Sequence, residues 1–225
     1  MIKSCGEELP SWITDMVDSG AKSFYVFEDG KKKFYDINTK KYKTVPSSEN
    51  HYILDAFREN KQILKNPECT VHDIGDGVMC IEFQTKGNSI GEGIAKGINE
   101  AIDIAEKDGW NGIVIGNNDK QFSVGANLMN MGMMAMQKNF DEIEKFLVGF
   151  QKILMRMRTC NVPVVSATHG FVLGGGLEVS IHCDAGIHAS ESYIGLVEAG
   201  VGLIPGGGGT KEMAMRASDS FNSGD

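Results

Sequence analysis

The 225-residue sequence lacks any excess of positive charge: 22 Lys and Arg stand against 30 Asp and Glu, for a net charge of −8. Nucleic-acid surfaces depend on clustered cations, so no nucleic-acid partner is expected. Long apolar runs are also missing. The longest, such as residues 162–167, fall far short of the ~20 residues that cross a bilayer, so no membrane span is expected. The first residues, Met1-Ile-Lys-Ser-Cys-Gly-Glu-Glu, contain no apolar core of a secretory signal. Five cysteines (Cys5, Cys69, Cys80, Cys160, Cys183) are scattered and never form a CxxC pair. Reduced thiols in a cytoplasmic protein fit that pattern better than a disulfide framework. The five histidines show no metal-ligand spacing with cysteines or carboxylates, so no metal is expected.

Three nucleotide or nucleophile signatures fail as well. Gly206-Gly-Gly-Gly-Thr210-Lys211 reverses the Lys-Ser/Thr pair of a phosphate loop. Segments starting at Gly91 and Gly200 misplace the third glycine of a dinucleotide fingerprint. No Gly-x-Ser-x-Gly elbow is present.

What the chain does have is glycine, in one place. Twelve of its 28 glycines fall between 170 and 209, among Val, Leu, Ile and Ala and not among linker residues. That is packed chain in which backbone closely approaches something. With 41% hydrophobic and 23% charged residues the composition is that of a globular protein. Charge divides the chain near residue 70: residues 1–70 carry 11 Lys/Arg and 11 Asp/Glu, so the whole net charge lies in residues 71–225. Residues 1–70 read as an appendage, with a short helix after Leu9-Pro10, a hairpin turning at Glu28-Asp29-Gly30, and a helical segment over 52–64. From residue 71, strands at 78–83, 112–116, 163–168 and 184–189 alternate with helices at 91–107 and 140–158, the pattern of an α/β fold.

Three segments carry candidate chemistry. In Gly170-Phe-Val-Leu-Gly-Gly-Gly-Leu-Glu178 a buried strand passes through glycines into a helix starting near Gly175. Free N–H groups at such a start form an anion site or oxyanion hole. A tight turn whose glutamate merely caps the helix is the plain alternative. Gln121-Phe-Ser-Val-Gly-Ala126-Asn127-Leu128 offers a second backbone donor after a strand. Glu198 stands among apolar neighbours, where loss of water favours proton transfer, and leads into Pro205-Gly206 and the glycines that follow. Of twelve methionines, five fall in 129–136 and four more at 155, 157, 213 and 215, and they read as adaptable apolar filler.

Together these segments resemble the enoyl-CoA hydratase/isomerase (crotonase) family. They run Phe122-Ser-Val-Gly-Ala-Asn-Leu128, then Gly170 to Glu178, then Glu198 twenty residues on, then Pro205-Gly-Gly-Gly-Gly-Thr210. The resemblance covers roughly residues 72–217. It implies an α/β, crotonase-like (ββα)n spiral core over 71–225, cut short at its C-terminal end, with a small N-terminal α/β-hairpin appendage over 1–70. By the resemblance, Ala126 and Gly175 are the oxyanion donors, Glu178 and Glu198 the catalytic carboxylates, and Gly206 a backbone position that places the water. Lys86, Asn88, Asn127 and Leu128 are assigned to substrate or CoA contacts. Asn127 stands where the family most often has Asp.

The implied activity is hydration of 2-enoyl-CoA to 3-hydroxyacyl-CoA in fatty-acid β-oxidation. No cofactor is bound, and the CoA thioester is substrate. Isomerisation, other acyl-CoA chemistry, or acyl-CoA binding without turnover are the alternatives. Residues 1–66 resemble the segment that links dehydrogenase and hydratase halves in bifunctional proteins. That implies an upstream 3-hydroxyacyl-CoA dehydrogenase domain in the same chain, where NAD chemistry would reside. A trimer-type homo-oligomer is implied for the full-length form.

Overall fold

The structure, a computed structural model, describes residues 9–28, 31–46, 52–58 and 61–222. The chain divides into two units, residues 1–60 and 61–225. The smaller opens with helix α1 (Ser11–Asp18), followed by an antiparallel meander of β1 (Tyr25–Glu28), β2 (Lys31–Asp36) and β3 (Lys41–Thr44). Asp36 shapes the β2–β3 turn, because its Oδ1 accepts the N–H groups of Asn38 and Thr39. Tyr35 and Tyr42 pack edge-on across the register, centroids 5.6 Å apart. Asp29 and Gly30 of the expected hairpin turn lie outside the described residues.

The helix expected over 52–64 is not formed. A short 3-10 turn spans Leu54–Ala56, and β4 (Gln62–Lys65) is an edge strand of the larger unit, paired antiparallel with β5 (Cys69–Gly75). The apolar pair Ile63-Leu64 packs against that unit's core, which outweighs the local helical spacing. Residues 61–70, assigned to the appendage from charge, thus belong to the larger unit's sheet.

The larger unit continues with β6 (Val78–Phe83), α2 (Glu92–Asp108), β7 (Gly112–Ile115), α3 (Leu128–Met136), α4 (Phe140–Thr159), β8 (Val164–Thr168), β9 (Phe171–Leu173), α5 (Gly175–Ile181), β10 (Ala185–His188), β11 (Tyr193–Gly195) and α6 (Gly209–Asn222). Its main sheet has the order β10-β8-β7-β6-β5-β4, parallel from β6 to β10. After β6, β7, β8 and β10 the chain does not enter a helix directly. It first runs through a short extended stretch: Ile90, Ser123–Ala126, β9 and β11 in turn. These stretches pair with one another, Ile90 with Ala126, Ser123 with Val172, and β9 with β11, all parallel. Each turn of the fold is therefore strand, short strand, helix, a structural repeat that the sequence does not display.

Helix α2 has Ile94, Ile98, Ala101, Ile102 and Ala105 at helical spacing and buries all of them. They meet Met79, Ile81, Ile113, Ile115 and Leu154 in one core that backs the short strands. Ile98 is 1% exposed, so Ile98→Ala should lose about 2–5 kcal/mol of stability. Urea unfolding followed by circular dichroism reads this; a loss below about 0.5 kcal/mol would remove α2 from the core.

Candidate active site

The short strands deliver backbone donors to one cleft. Ile90 N–H donates to the Gly125 carbonyl at 2.8 Å. In a trans peptide the following N–H points the opposite way, so the Ala126 N–H is turned away from Ile90. The Gly174 carbonyl is taken by the Glu178 N–H at 3.0 Å inside α5, which likewise turns the Gly175 N–H off the helix start. Among the described residues neither N–H meets an acceptor. The two backbones adjoin: a Cβ on Gly175 would lie 3.4 Å from the Ala126 nitrogen. Gly174 makes the corner with φ of 51°, and a Cβ there would come within 2.9 Å of Glu198 Oε1.

Both donors open on a cavity of about 510 Å³. Its walls include Leu128 and Met131 of α3, Ile143, Phe146, Leu147 and Phe150 of α4, and residues 201–207. Glu178 and Glu198 both face it. Glu178 is almost fully buried, and its Oε1 accepts the Gly207 and Gly209 N–H groups at 2.8 and 2.9 Å. Burial pushes its carboxyl above the ordinary value. The Gly209 and Gly207 donors pull the other way, and the Glu198 charge adds to the rise. A Cβ on Gly207 would overlap the Glu178 carboxylate and stand 2.7 Å from the Phe150 ring, so only glycine lets this backbone approach. Glu198 is half-buried in a 3-10 turn, and its Oε2 has no hydrogen-bond partner.

Of the residues singled out from sequence, the cleft gathers Ala126, Leu128, Gly175, Glu178, Glu198 and Gly206. Lys86, Asn88 and Asn127 do not line it. Lys86 is exposed. Asn88 is buried under the Ala126 loop: its amide donates to the Gln121 carbonyl at 2.9 Å, and its carbonyl accepts the Ser123 hydroxyl at 2.7 Å. Asn127 caps α3 through its Oδ1, which accepts the Asn130 N–H. Capping needs only an acceptor oxygen, so Asn serves here as well as Asp would.

Sequence reasoning missed Gln151, whose amide ties down the Gly206 carbonyl at 2.6 Å, and Leu147 beside Gly206. Helical spacing from Phe146 and Phe150 could have placed Leu147 and Gln151 near that face; nothing in the sequence joins them to the loop. Of the methionines, Met131 lines the cleft while Met129, Met133 and Met136 are exposed. Among the described residues no three His, Cys, Asp or Glu side chains converge as a metal site, and no helix is long and apolar enough to cross a membrane.

Comparison with known proteins adds to this geometry. A family model described as enoyl-CoA hydratase/isomerase matches residues 73–221. A protein named "Probable 3-hydroxyacyl-CoA dehydrogenase" from Bacillus subtilis is 39% identical over 98% of this chain, which spans 28% of that protein. A "Short-chain-enoyl-CoA hydratase" from Clostridium acetobutylicum is 36% identical over 45% of this chain and 38% of its own length. The chain thus spans less than half of either relative. The crystal structure of an enoyl-CoA hydratase from Polaromonas sp. JS666 superimposes with a TM-score of 0.62 at 23% identity, over 65% of this chain and 58% of that one; the shared property is the crotonase fold.

The buried carboxylate gives stability a pH signature. A raised folded-state value means that the folded protein holds the Glu178 proton more tightly than the unfolded chain. The favourable contribution is complete below the unfolded value of about 4.5 and is lost as pH rises through the folded one. Glu178→Gln keeps an acceptor for both N–H groups and carries no charge. Its stability relative to the unmodified protein should therefore increase from pH 4 to pH 8 in urea titrations; a flat difference would mean that Glu178 carries no burial penalty.

Proposed function

The chain belongs to the enoyl-CoA hydratase/isomerase family, and from that premise we propose that its cleft catalyses syn-hydration of 2-enoyl-CoA to 3-hydroxyacyl-CoA. The observation that carries this reading is the convergence of two carboxylates and two unpartnered N–H groups on one largely apolar cavity. The Ala126 and Gly175 N–H groups would hold the thioester oxygen and stabilise the enolate charge that develops on it. Each such donor is typically worth about 10²–10³ in rate. No metal or cofactor is needed, since the thioester itself conjugates the double bond and delocalises the charge.

The roles of the carboxylates follow from their neighbours. Glu178, whose carboxylate accepts two N–H donors and stands close to the Gly206 loop, takes a proton from water as the oxygen bonds to C3. Gly206 keeps a backbone N–H without an acceptor among the described residues, suited to orienting that water. Glu198 adjoins Gly174, the corner of the oxyanion turn, and so stands nearest C2, the carbon next to the carbonyl. It delivers the proton there. The proton gained by Glu178 and the one lost by Glu198 balance over a turnover through solvent. A pair of carboxylates supports hydration in preference to double-bond isomerisation, for which one proton shuttle suffices.

The relative named for dehydrogenase activity is aligned with 98% of this chain, so the match extends well beyond residues 73–221. We therefore read the chain as the hydratase part of a longer bifunctional polypeptide in fatty-acid oxidation, whose dehydrogenase part would oxidise the 3-hydroxyacyl-CoA made here. CoA is then substrate, and NAD belongs to the other part.

Crotonyl-CoA should lose its enoyl-thioester absorbance in the presence of the protein. Glu178→Gln and Glu198→Gln should each lower kcat by about 10²–10⁴ while KM changes only a few-fold. Tight CoA binding without turnover would instead assign a binding module. Near-unchanged activity in both variants would mean that the carboxylate pair is wrongly identified.

A further inference from the structure

The loop that holds Glu178 is itself held, by a group that the proposed chemistry leaves unused. Glu212 lies in the first turn of α6 and is fully buried. Its Oε2 is ion-paired with Arg158 from the last turn of α4. Its Oε1 lies 2.8 Å from Lys211 Nζ and 3.6 Å from His182 Nε2. Burial alone would raise the Glu212 carboxyl, but Lys211, His182 and Arg158 outweigh it and hold it below the ordinary value.

His182, also buried, lies between this carboxylate and the cleft. Its Nδ1 donates to the main-chain carbonyl of Glu178 at 2.7 Å, and its Nε2 faces Glu212 Oε1 at 3.6 Å, beyond hydrogen-bond reach. Meanwhile the residues just before Glu212, Gly207 and Gly209, donate to the Glu178 side chain. Glu178 is thus held at its backbone by His182 and at its carboxylate by the start of α6, the turn in which Glu212 is ion-paired to Arg158. One turn further along, α6 has a second anchor, Arg216 donating to the Ile181 carbonyl at 2.6 Å. Loss of Glu212 would therefore loosen the first turn without undocking the helix.

We propose that Glu212 is a positioning residue for Glu178: ion-paired to Arg158 of α4, it fixes the first turn of α6 so that the Gly207 and Gly209 N–H groups stay on the Glu178 carboxylate. Keeping a buried charge paired for geometry and not for net stability is a recognised use of such ion pairs. The inference rests on the reading of Glu178 as a working carboxylate, yet it can be tested apart from that reading.

The test is Glu212→Gln in the full chain, with two readouts. One is kcat and KM for enoyl-CoA hydration. The other is a ¹³C NMR titration of the Glu178 carboxyl, assigned by its disappearance in Glu178→Gln. The charged and titratable groups around Glu178 are Glu198 on the cleft side, His182 just past the end of its helix, and Glu212, Arg158 and Lys211 behind it. Simple removal of a negative charge at 212 would move the Glu178 midpoint to lower pH. Loss of the two N–H donors moves it to higher pH, so the sign of the shift separates the two effects.

The expected result is a midpoint at higher pH and a kcat lower by about tenfold to a hundredfold, the size of effect a small misplacement produces, with KM within about threefold. Glu212→Asp should recover part of both, and it replaces Glu212→Gln if the latter does not fold. Arg216→Ala should lower thermal stability and leave the midpoint where it is. A Glu212→Gln protein that melts earlier but keeps the Glu178 midpoint and kcat has lost only packing, and that result overturns the proposal. An unmodified chain that fails to hydrate any enoyl-CoA overturns the functional reading, while the NMR midpoint still decides the positioning of Glu178.

Discussion

Everything at the site depends on burying one carboxylate. Glu178 is withdrawn from water, and a carboxylate so placed is tolerated only when hydrogen bonds replace its hydration. The replacement comes from two main-chain N–H groups about thirty residues further along the chain. This single requirement ties α5 to the start of α6 and places glycine at 207, where any side chain would occupy the space of the carboxylate or the Phe150 ring. It also closes one wall of the cleft. Glycine here is a consequence of burial and hydrogen bonding, not of a need for flexibility.

The fold supplies the rest through repetition. In each turn the sheet strand is followed by a short strand, and the short strands pair in a second layer where Ala126 and Gly175 adjoin. Donors 49 positions apart in sequence thus come together by main-chain pairing, with the α2 and α4 cores behind them. Backbone groups held this way are already oriented before a ligand arrives, which is why they can act on developing charge at little reorganisation cost. The side chains nearby mostly support backbone: Asn88 and Ser123 brace the Ala126 loop, and Gln151 holds the Gly206 carbonyl.

How much of this was legible in the sequence follows from the range of the interactions involved. The glycine-bounded turns at 125–126 and 170–178 were legible because a local backbone need selects glycine locally. The helix over 92–108 was legible because its apolar residues keep helical spacing against a single core. Residues 62–65 were not, since Ile63 and Leu64 obtain their partners from β5 and the core and not from their own segment. Asn88 shows the same limit: its residue type was noticed, but its φ of 52° and its bond to Gln121, 33 residues away, are set by the tertiary fold. Arg158 and Glu212 were invisible for a further reason. Each reads as an ordinary charge on an amphipathic helix, and only the crossing of α4 and α6 makes them an ion pair with a buried carboxylate.

A tension runs through the cleft and explains its composition. Its apolar lining strengthens every dipole aimed into it, which under the proposed hydration would give two N–H groups leverage over a thioester oxygen. The same lining penalises Glu178 in its charged form, the form the proposed reaction would need. More apolar surroundings would strengthen the N–H dipoles and protonate the carboxylate; more water would do the reverse. Two N–H donors on Glu178 allow both demands to be met at once, because they favour the carboxylate without admitting solvent. Accuracy in the placement of those two donors therefore matters more to this site than any further apolar contact, and α6 is fixed to its neighbours at its first turn and again one turn on.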